Sequence, residues 1–388
     1  MMASDRTLWL LIATAFLMLI VPGVALFYGG MVRKKNSVNT MGLPLVALVM
    51  ASLVWLVMGD AVIDGTIAGV ILGHAGSESA IVLAHGMMAA ALALALVVGG
   101  IVERIRLSFF LVFGFAWLLL VYGPIAHWLW GGGWLSGLGS LDFAGGAVIH
   151  ISAGVTALVA AVMVGPRKGY GRVEMMPHHL PLSFCGAGLM WVGWFGFSAG
   201  QSSTPITTAT SAFVAIQLSG ITAALTWMAV EWLQRDKPTA LGMASGAVAG
   251  LVAITPAAGY VEPLSALVIG LGAGGLCYMV VNFVKPILGY DDSLDVFGMH
   301  GVGGTWGMIA TGLFASTAAN PDGSDGLFYG YPYQLFAQLV AVLAVWAYAA
   351  GMTFLIIKTV RGDLDPRVDD ETEIVGLDLR QHGEKGYT

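Results

Sequence analysis

The sequence predicts an all-α polytopic membrane protein: eleven transmembrane helices, arranged as two inverted five-helix repeats plus an eleventh helix. Three observations predict it. Of 388 residues, 57% are hydrophobic and only 10% are charged, whereas a soluble domain carries about a quarter charged residues. Apolar runs of about 20 residues, enough to cross a ~30 Å hydrocarbon core, recur along the whole chain. Two of those runs share an Asp–His pattern of identical spacing. The mean hydropathy of +0.82 agrees. This composition excludes a disordered chain and an ordinary soluble enzyme. A net charge of −6 leaves no basic face for nucleic acid. The runs are too long and do not alternate as β-barrel strands would. The 54 glycines suggest helices packed closely through small residues. Cys185 and Cys277 both sit in apolar stretches and give neither a disulfide framework nor a metal spacing. No cofactor is expected.

The spans read 8–31, 41–63, 81–102, 107–129, 143–164, 180–199, 206–233, 241–259, 262–284, 295–315 and 333–358. The first lacks the basic start of a signal peptide and stays apolar through Pro22 to Tyr28, so it is read as a span. Basic residues follow the odd-numbered spans. Arg33, Lys34 and Lys35 follow the first, Arg104 and Arg106 the third, and Arg167, Lys168 and Arg172 the fifth. Arg235 and Lys237 follow the seventh and Lys285 the ninth, while Lys358, Arg361, Arg367, Arg380 and Lys385 lie around and beyond the last. That places 16 of the 17 on one side, with Arg6 alone on the other. The positive-inside rule then sets the N-terminus outside and the C-terminus in the cytoplasm, in the cell's inner (cytoplasmic) membrane.

Span 5 opens with DFAGGAVIH, Asp142 to His150, and span 10 is entered through DSLDVFGMH, Asp292 to His300. In each, seven residues separate Asp from His, and small residues follow. The copies lie five spans apart, an odd step, so the second runs antiparallel to the first. Such inverted repeats place a transport site at their interface near the midplane. Eight helical residues rise about 12 Å, so His150 and His300 approach the centre from opposite faces. The resulting organisation is a first repeat at 1–165, a cytoplasmic linker at 166–180, a second repeat at 181–315, an outer loop and eleventh helix at 316–360, and a cytoplasmic tail at 361–388. A lone intramembrane His is read equally well as a satisfied core residue. Two at mirrored depth point to one shared site.

These residues resemble the Amt/Mep/Rh ammonium transporters, specifically the bacterial Amt branch. The resemblance runs through PGVALFYGGMVRKKN (22–36), ERIRLS (103–108), PIAHWLWGGGWL (124–135), DFAGGAVIH, GWFGFSAG (193–200), GAVAGLVAITPAAGYV (246–261), DVFGMHGVGG (295–304) and GLDLRQHGEKGY (376–387). It implies a homotrimer with one narrow pore per protomer and His150 and His300 as the twin histidines of that pore. It further implies that Asp142 lies under the outer vestibule, Trp130 serves as the vestibule Trp, Phe197 helps close the pore mouth, and Ser245 lies near the inner half. The tail is expected to dock on the cytoplasmic face, couple protomers and contact a PII-type signalling protein.

Each residue also has a plainer reading. Asp142 sits where a helix N-cap is wanted, and an anionic end there also favours an arriving cation. Asp292 is its structural counterpart, with Asp291 and Asp295 as rival caps. Trp130 fits an interfacial aromatic belt as well as a cation–π face. His85 alone reads as an interfacial or loop-contacting residue, and His127, His178 and His179 as loop or cap residues. Glu103 and Arg104 read as an ordinary surface pair.

The chain departs from the family in span 3. Where relatives carry two Phe four residues apart, it has His85 and Ala89, and Gln201 stands where relatives place a vestibule serine. The expected function is ammonium recruitment outside, loss of a proton, and passage of ammonia along the histidines. A bare cation is heavily penalised in a dry pore. Whether the proton follows separately is open. The rival is an ammonium sensor with little or no flux on the same scaffold. No enzyme is expected.

Overall fold

The computed structural model describes residues 3–64, 77–201 and 206–387. Among them every regular element is helical, and the one extended pairing is an isolated bridge between Ile105 and Arg367. In chain order the helices are α1 (Ala3–Leu17), α2 (Ile20–Met31), α3 (Ser37–Asp64), α4 (Ser77–Ile101), α5 (Leu107–Trp117), α6 (Gly123–Leu129) and α7 (Trp134–Gly137). Then come α8 (Ser152–Val164), α9 (Leu180–Ala199), α10 (Ile206–Arg235), α11 (Ala240–Ile254), α12 (Pro263–Met279), α13 (Lys285–Leu288), α14 (Val302–Phe314) and α15 (Pro332–Val360). Two short helices, α16 (Asp370–Val375) and α17 (Leu377–His382), form the tail.

Among the described residues, nine stretches are long and apolar enough to cross a membrane, and each falls on one of the runs read from the sequence. The remaining two runs are shorter helices. α11 has 15 residues and stops before the run 241–259 ends. Past Ile254 the carbonyls of Thr255 and Pro256 accept from Ala144 N (3.2 Å) and Phe143 N (3.1 Å), so they are used between segments and not along a helix. α14 has 13 residues and is preceded by a π-helical turn, Phe297–Gly301.

α4 forms the middle of the bundle, with every residue from Ala89 to Val98 buried. A helix that is apolar all round belongs in the interior, and its many alanines let neighbours approach. The periphery is apolar as well: Leu225 on α10 and Phe336 and Leu343 on α15 are exposed. That is the pattern expected of a surface facing lipid.

The segments after α2, α4, α8 and α13 meet at one end of the bundle, together with the tail. Glu103 and Arg104 are corrected there: both are fully buried, and they do not pair with each other. The chain turns at Glu103, whose φ is +68°, and the two side chains take different partners. Glu103 accepts from Arg33 Nε (2.7 Å), Asn36 Nδ2 (2.8 Å) and Arg167 Nη1 (2.5 Å). Arg104 donates to the carbonyls of Gly165 (2.8 Å) and Asp291 (2.6 Å) and to Ser293 Oγ (2.6 Å). Arg167 also donates to both carboxylate oxygens of Asp291. Buried charges persist only when paired and hydrogen-bonded in this way. Burial pushes the Glu103 carboxyl up, but the charges of Arg167 and Arg33 and the hydrogen bonds from Arg33 and Asn36 outweigh it and hold the group below its ordinary value.

The tail docks on this end. Asp378 accepts from Val38 N (3.0 Å) and Asn39 N (2.8 Å), capping α3. Leu377 N donates to Asn36 Oδ1 (2.9 Å), so Asn36 bridges the tail to Glu103. Glu373 accepts from Arg367 Nη2 (2.7 Å) and Lys168 N (2.6 Å).

Candidate functional site

Two π-helical turns, Gly146–Ile151 and Phe297–Gly301, meet in the interior. Such single-turn widenings recur at functional sites. Each is preceded by a left-handed residue three positions after the motif's Asp: Gly145 at φ +105° and Asp295 at φ +61°. The sequence spacing is thus matched by a backbone correspondence.

Asp142 fixes the first turn. Its Oδ1 accepts from Gly145 N (3.0 Å) and Gly146 N (2.6 Å), and its Oδ2 from Ala147 N (2.9 Å) and Val148 N (3.1 Å). Those are the amides a helix start leaves unpaired. Asp292 Oδ2 accepts from Phe297 N (2.7 Å). Its rivals go elsewhere, Asp291 to Arg167 and Asp295 to Lys285. His179 caps α9 by accepting from Leu182 N.

The turns bring His150 and His300 together, Nδ1 to Nδ1 at 3.3 Å, with ring centroids 5.2 Å apart and 25° between planes. Both are buried, as is Trp194, which lies parallel to His150 at 5.4 Å and 11° and donates to Thr255 Oγ1 (2.9 Å). Phe197 meets His150 edge-on at 6.5 Å. One Nδ1 must donate and the other accept, so the imidazoles hold opposite tautomers. His150 Nε2 has no hydrogen-bond partner among the described residues.

The turns can meet because no side chain separates them. A Cβ on Gly154 would stand 2.1 Å from Gly301 N, and one on Gly304 would stand 3.1 Å from His150 Cβ.

At the opposite end from the tail, a chamber of about 270 Å³ is lined by Trp9, Trp55, Tyr122 and Trp130. His85, Ala89 and Gln201 complete its wall. His85 is buried: its Nδ1 lies 3.1 Å from Thr14 Oγ1 and its Nε2 3.4 Å from Gln201 Nε2. Trp130 Nε1 donates to Asp142 O (2.8 Å). Beside the chamber a polar cavity of about 500 Å³ shares Trp130 and Gln201 with it and reaches Asp142, Tyr260 and Asp322. Phe197, on α9 three residues before Gly200, packs beside His150 and lines neither cavity. Ser245, half-buried on α11, lines neither cavity.

Sequence reasoning missed Trp194, although it lies three residues before Phe197 and so on the same helix face. It also missed the Trp55–Tyr122 pair, whose rings are 5.4 Å apart and whose residues lie on separate helices.

The fold and this site define a multi-pass membrane protein of the transporter class, with two facing imidazoles buried between its helices. The ammonium transporter family model matches residues 8–387. The ammonium transporter Amt1 of Archaeoglobus fulgidus is 43% identical over 396 residues, covering 100% of both chains. Mep2 of Candida albicans superposes with a TM-score of 0.86 at 33% identity, over 98% of this chain and 90% of that one. A structure described as a sensor Amt protein superposes with a TM-score of 0.89 at 27% identity, over 97% and 98%. The chain belongs to the ammonium transporter family.

Proposed function

We propose that the protein carries ammonium inward as ammonia, through one pore per protomer that runs past His150 and His300. The observation that carries this reading is the buried imidazole pair, joined Nδ1 to Nδ1. In this reading the N-terminus is outside, the helices form two inverted repeats with the motif boundaries given above, and three protomers assemble. The chamber and the polar cavity beside it form the outer mouth. Trp130 and Gln201 meet ammonium there, and the carboxylate end at Asp142 favours the cation while it caps its helix. The ammonium ion gives up one proton at the mouth, neutral ammonia moves on, and the proton follows separately past the imidazole pair, so that each ammonia carried is matched by one positive charge. The opposite tautomers leave His150 Nε2 to donate to, or accept from, that ammonia. Potassium carries no proton to give up and is excluded without a size filter. Phe197 closes the mouth beside His150, and Ser245 serves the inner half. The docked tail links neighbouring protomers and offers a surface to a PII-type partner.

The second reading is an ammonium sensor with little or no flux. The altered wall at His85, Ala89 and Gln201 and the likeness to a sensor Amt structure favour it. An ammonium pulse on proteoliposomes, run beside a binding assay, separates the two. Transport gives binding and a substrate-dependent flux; sensing gives binding alone.

A further inference from the structure

We propose that the tail end of the bundle carries an anion site, built between the α2–α3 turn and the last residues of the tail, that takes a phosphate group. A cavity of about 220 Å³ lies there. Lys34 and Lys35 line it from the turn and Lys385 from the tail, so ammonium groups from two distant segments share one space. The wall is held in place by Tyr387, whose ring packs against His178 (5.0 Å between centroids, 76°) and His179 (6.2 Å, 28°). His178 in turn donates from Nδ1 to Val32 O (2.8 Å). Lys34 Nζ lies 5.6 Å from the centre of the Tyr387 ring, a cation–π distance that keeps the amine at the cavity. The tail presses closely on α3 here: a Cβ on Gly386 would stand 2.8 Å from Val38 Cγ2. That contact holds the neighbouring Lys385 beside the turn.

The charges of the lining suit an anion. Lys35 Nζ donates to the carbonyls of Glu373 (2.8 Å) and Ile374 (2.5 Å). Carbonyls accept hydrogen bonds but bring no charge to offset the ammonium, and a third N–H remains for a ligand. Two carboxylates also line the cavity. Both oxygens of Asp378 are spent on Val38 N and Asn39 N. Glu384 is exposed, so its charge is solvated and screened. Three ammonium groups thus face one spent and one solvated carboxylate. Lysine binds phosphate as a compact point charge, and a phosphate has an oxygen for each of the three. The bound group joins the α2–α3 turn to Lys385 and tightens the docking already made by Asp378 and Asn36. A soluble phosphate compound and the headgroup of an anionic phospholipid both present this chemistry.

The probe is pyrophosphate, titrated by calorimetry at low salt, where charge is least screened. The full chain is held in phosphatidylcholine nanodiscs or in discs that also contain phosphatidylglycerol. A protease that cuts after glutamate reads the tail, because lysine substitutions leave its sites intact. Wild type in phosphatidylcholine is expected to bind pyrophosphate saturably and to be cut more slowly in the tail once it is bound. The double variant Lys34→Gln, Lys385→Gln is expected to bind about tenfold or more weakly, since hydrogen bonds to charged groups are the strong ones, and to lose the protection. Lys237→Gln, at an exposed lysine outside the lining, is expected to bind as wild type does. Equal binding in both discs supports the site with a soluble phosphate as its ligand. Binding lost in the phosphatidylglycerol discs, with the tail protected in the absence of the probe, supports the site with the headgroup as its ligand. No saturable binding to folded wild type in phosphatidylcholine overturns the proposal. So does binding that the double variant leaves unchanged, or that Lys237→Gln weakens equally.

Discussion

Gly154 and Gly301 touch backbone to backbone where α8 crosses the second π-helical turn: a Cβ on Gly154 would stand 2.1 Å from Gly301 N and 2.5 Å from its Cα. Both neighbours are main chain, so neither can swing aside. Gly154→Ala is expected to push the turns apart and lengthen the His150–His300 contact. Overpacking of this kind costs about 1–3 kcal/mol. The check is the melting temperature of the purified protein alongside its ammonium current. A variant with wild-type melting and current contradicts the contact.

Asp142 satisfies four amides at the head of the first turn. Asp142→Ala removes all four acceptor bonds and is expected to lower stability by about 0.5–2 kcal/mol or more, since a lost cap alone costs that much. Current is expected to fall with it, because the turn positions His150. Thermal unfolding and current together check this; a current lost with no change in melting would give the carboxylate a direct role instead.

Glu103 gives a pH dependence. Its carboxyl lies below its ordinary value of 4.5 in the folded chain. A depressed carboxyl contributes stability that is complete above the ordinary value and is lost as pH falls through the lowered one. Wild type is expected to hold its melting temperature from neutral pH down to the carboxylate range and to lose it below. Glu103→Gln leaves Arg33 and Arg167 short of a negative partner. It is expected to melt lower at neutral pH, within the 3–5 kcal/mol typical of breaking a buried pair, and to show a flatter acid limb. Melting curves across pH read both effects.

The tail is held through Asp378 and the Asn36 bridge. Asp378→Ala is expected to uncap α3 and release α16 and α17, so that limited proteolysis trims the chain faster after residue 360. A cleavage rate equal to wild type would place the docking energy elsewhere, in the Glu373 contacts.

Much of this was legible in the sequence. Apolar length located nine of the spans, because lipid leaves the backbone no alternative to helix. The Asp142–His150 and Asp292–His300 spacings pointed to one site, and the histidines do meet. The ends of α11 and α14 were not legible, because hydropathy continues where Thr255 and Pro256 give their carbonyls to another segment. The π-helical turns leave no mark in the pattern, since residue types do not separate an i+4 from an i+5 bond. Glu103 and Arg104 read as a surface pair because adjacency in sequence hides that Arg33, Arg167 and Asp291 arrive from other segments. His85 was legible as a departure and not as a buried, bonded group, because Thr14 lies 71 positions away.

The central claim is that ammonium-driven flux passes the facing imidazoles. The most direct test is the current evoked by an ammonium pulse on proteoliposomes holding wild type, His150→Ala or His300→Ala, with potassium as control. The account predicts an ammonium current in wild type that potassium does not evoke, and loss of that selective current in both variants at unchanged folding. A variant that keeps wild-type current and selectivity would contradict it.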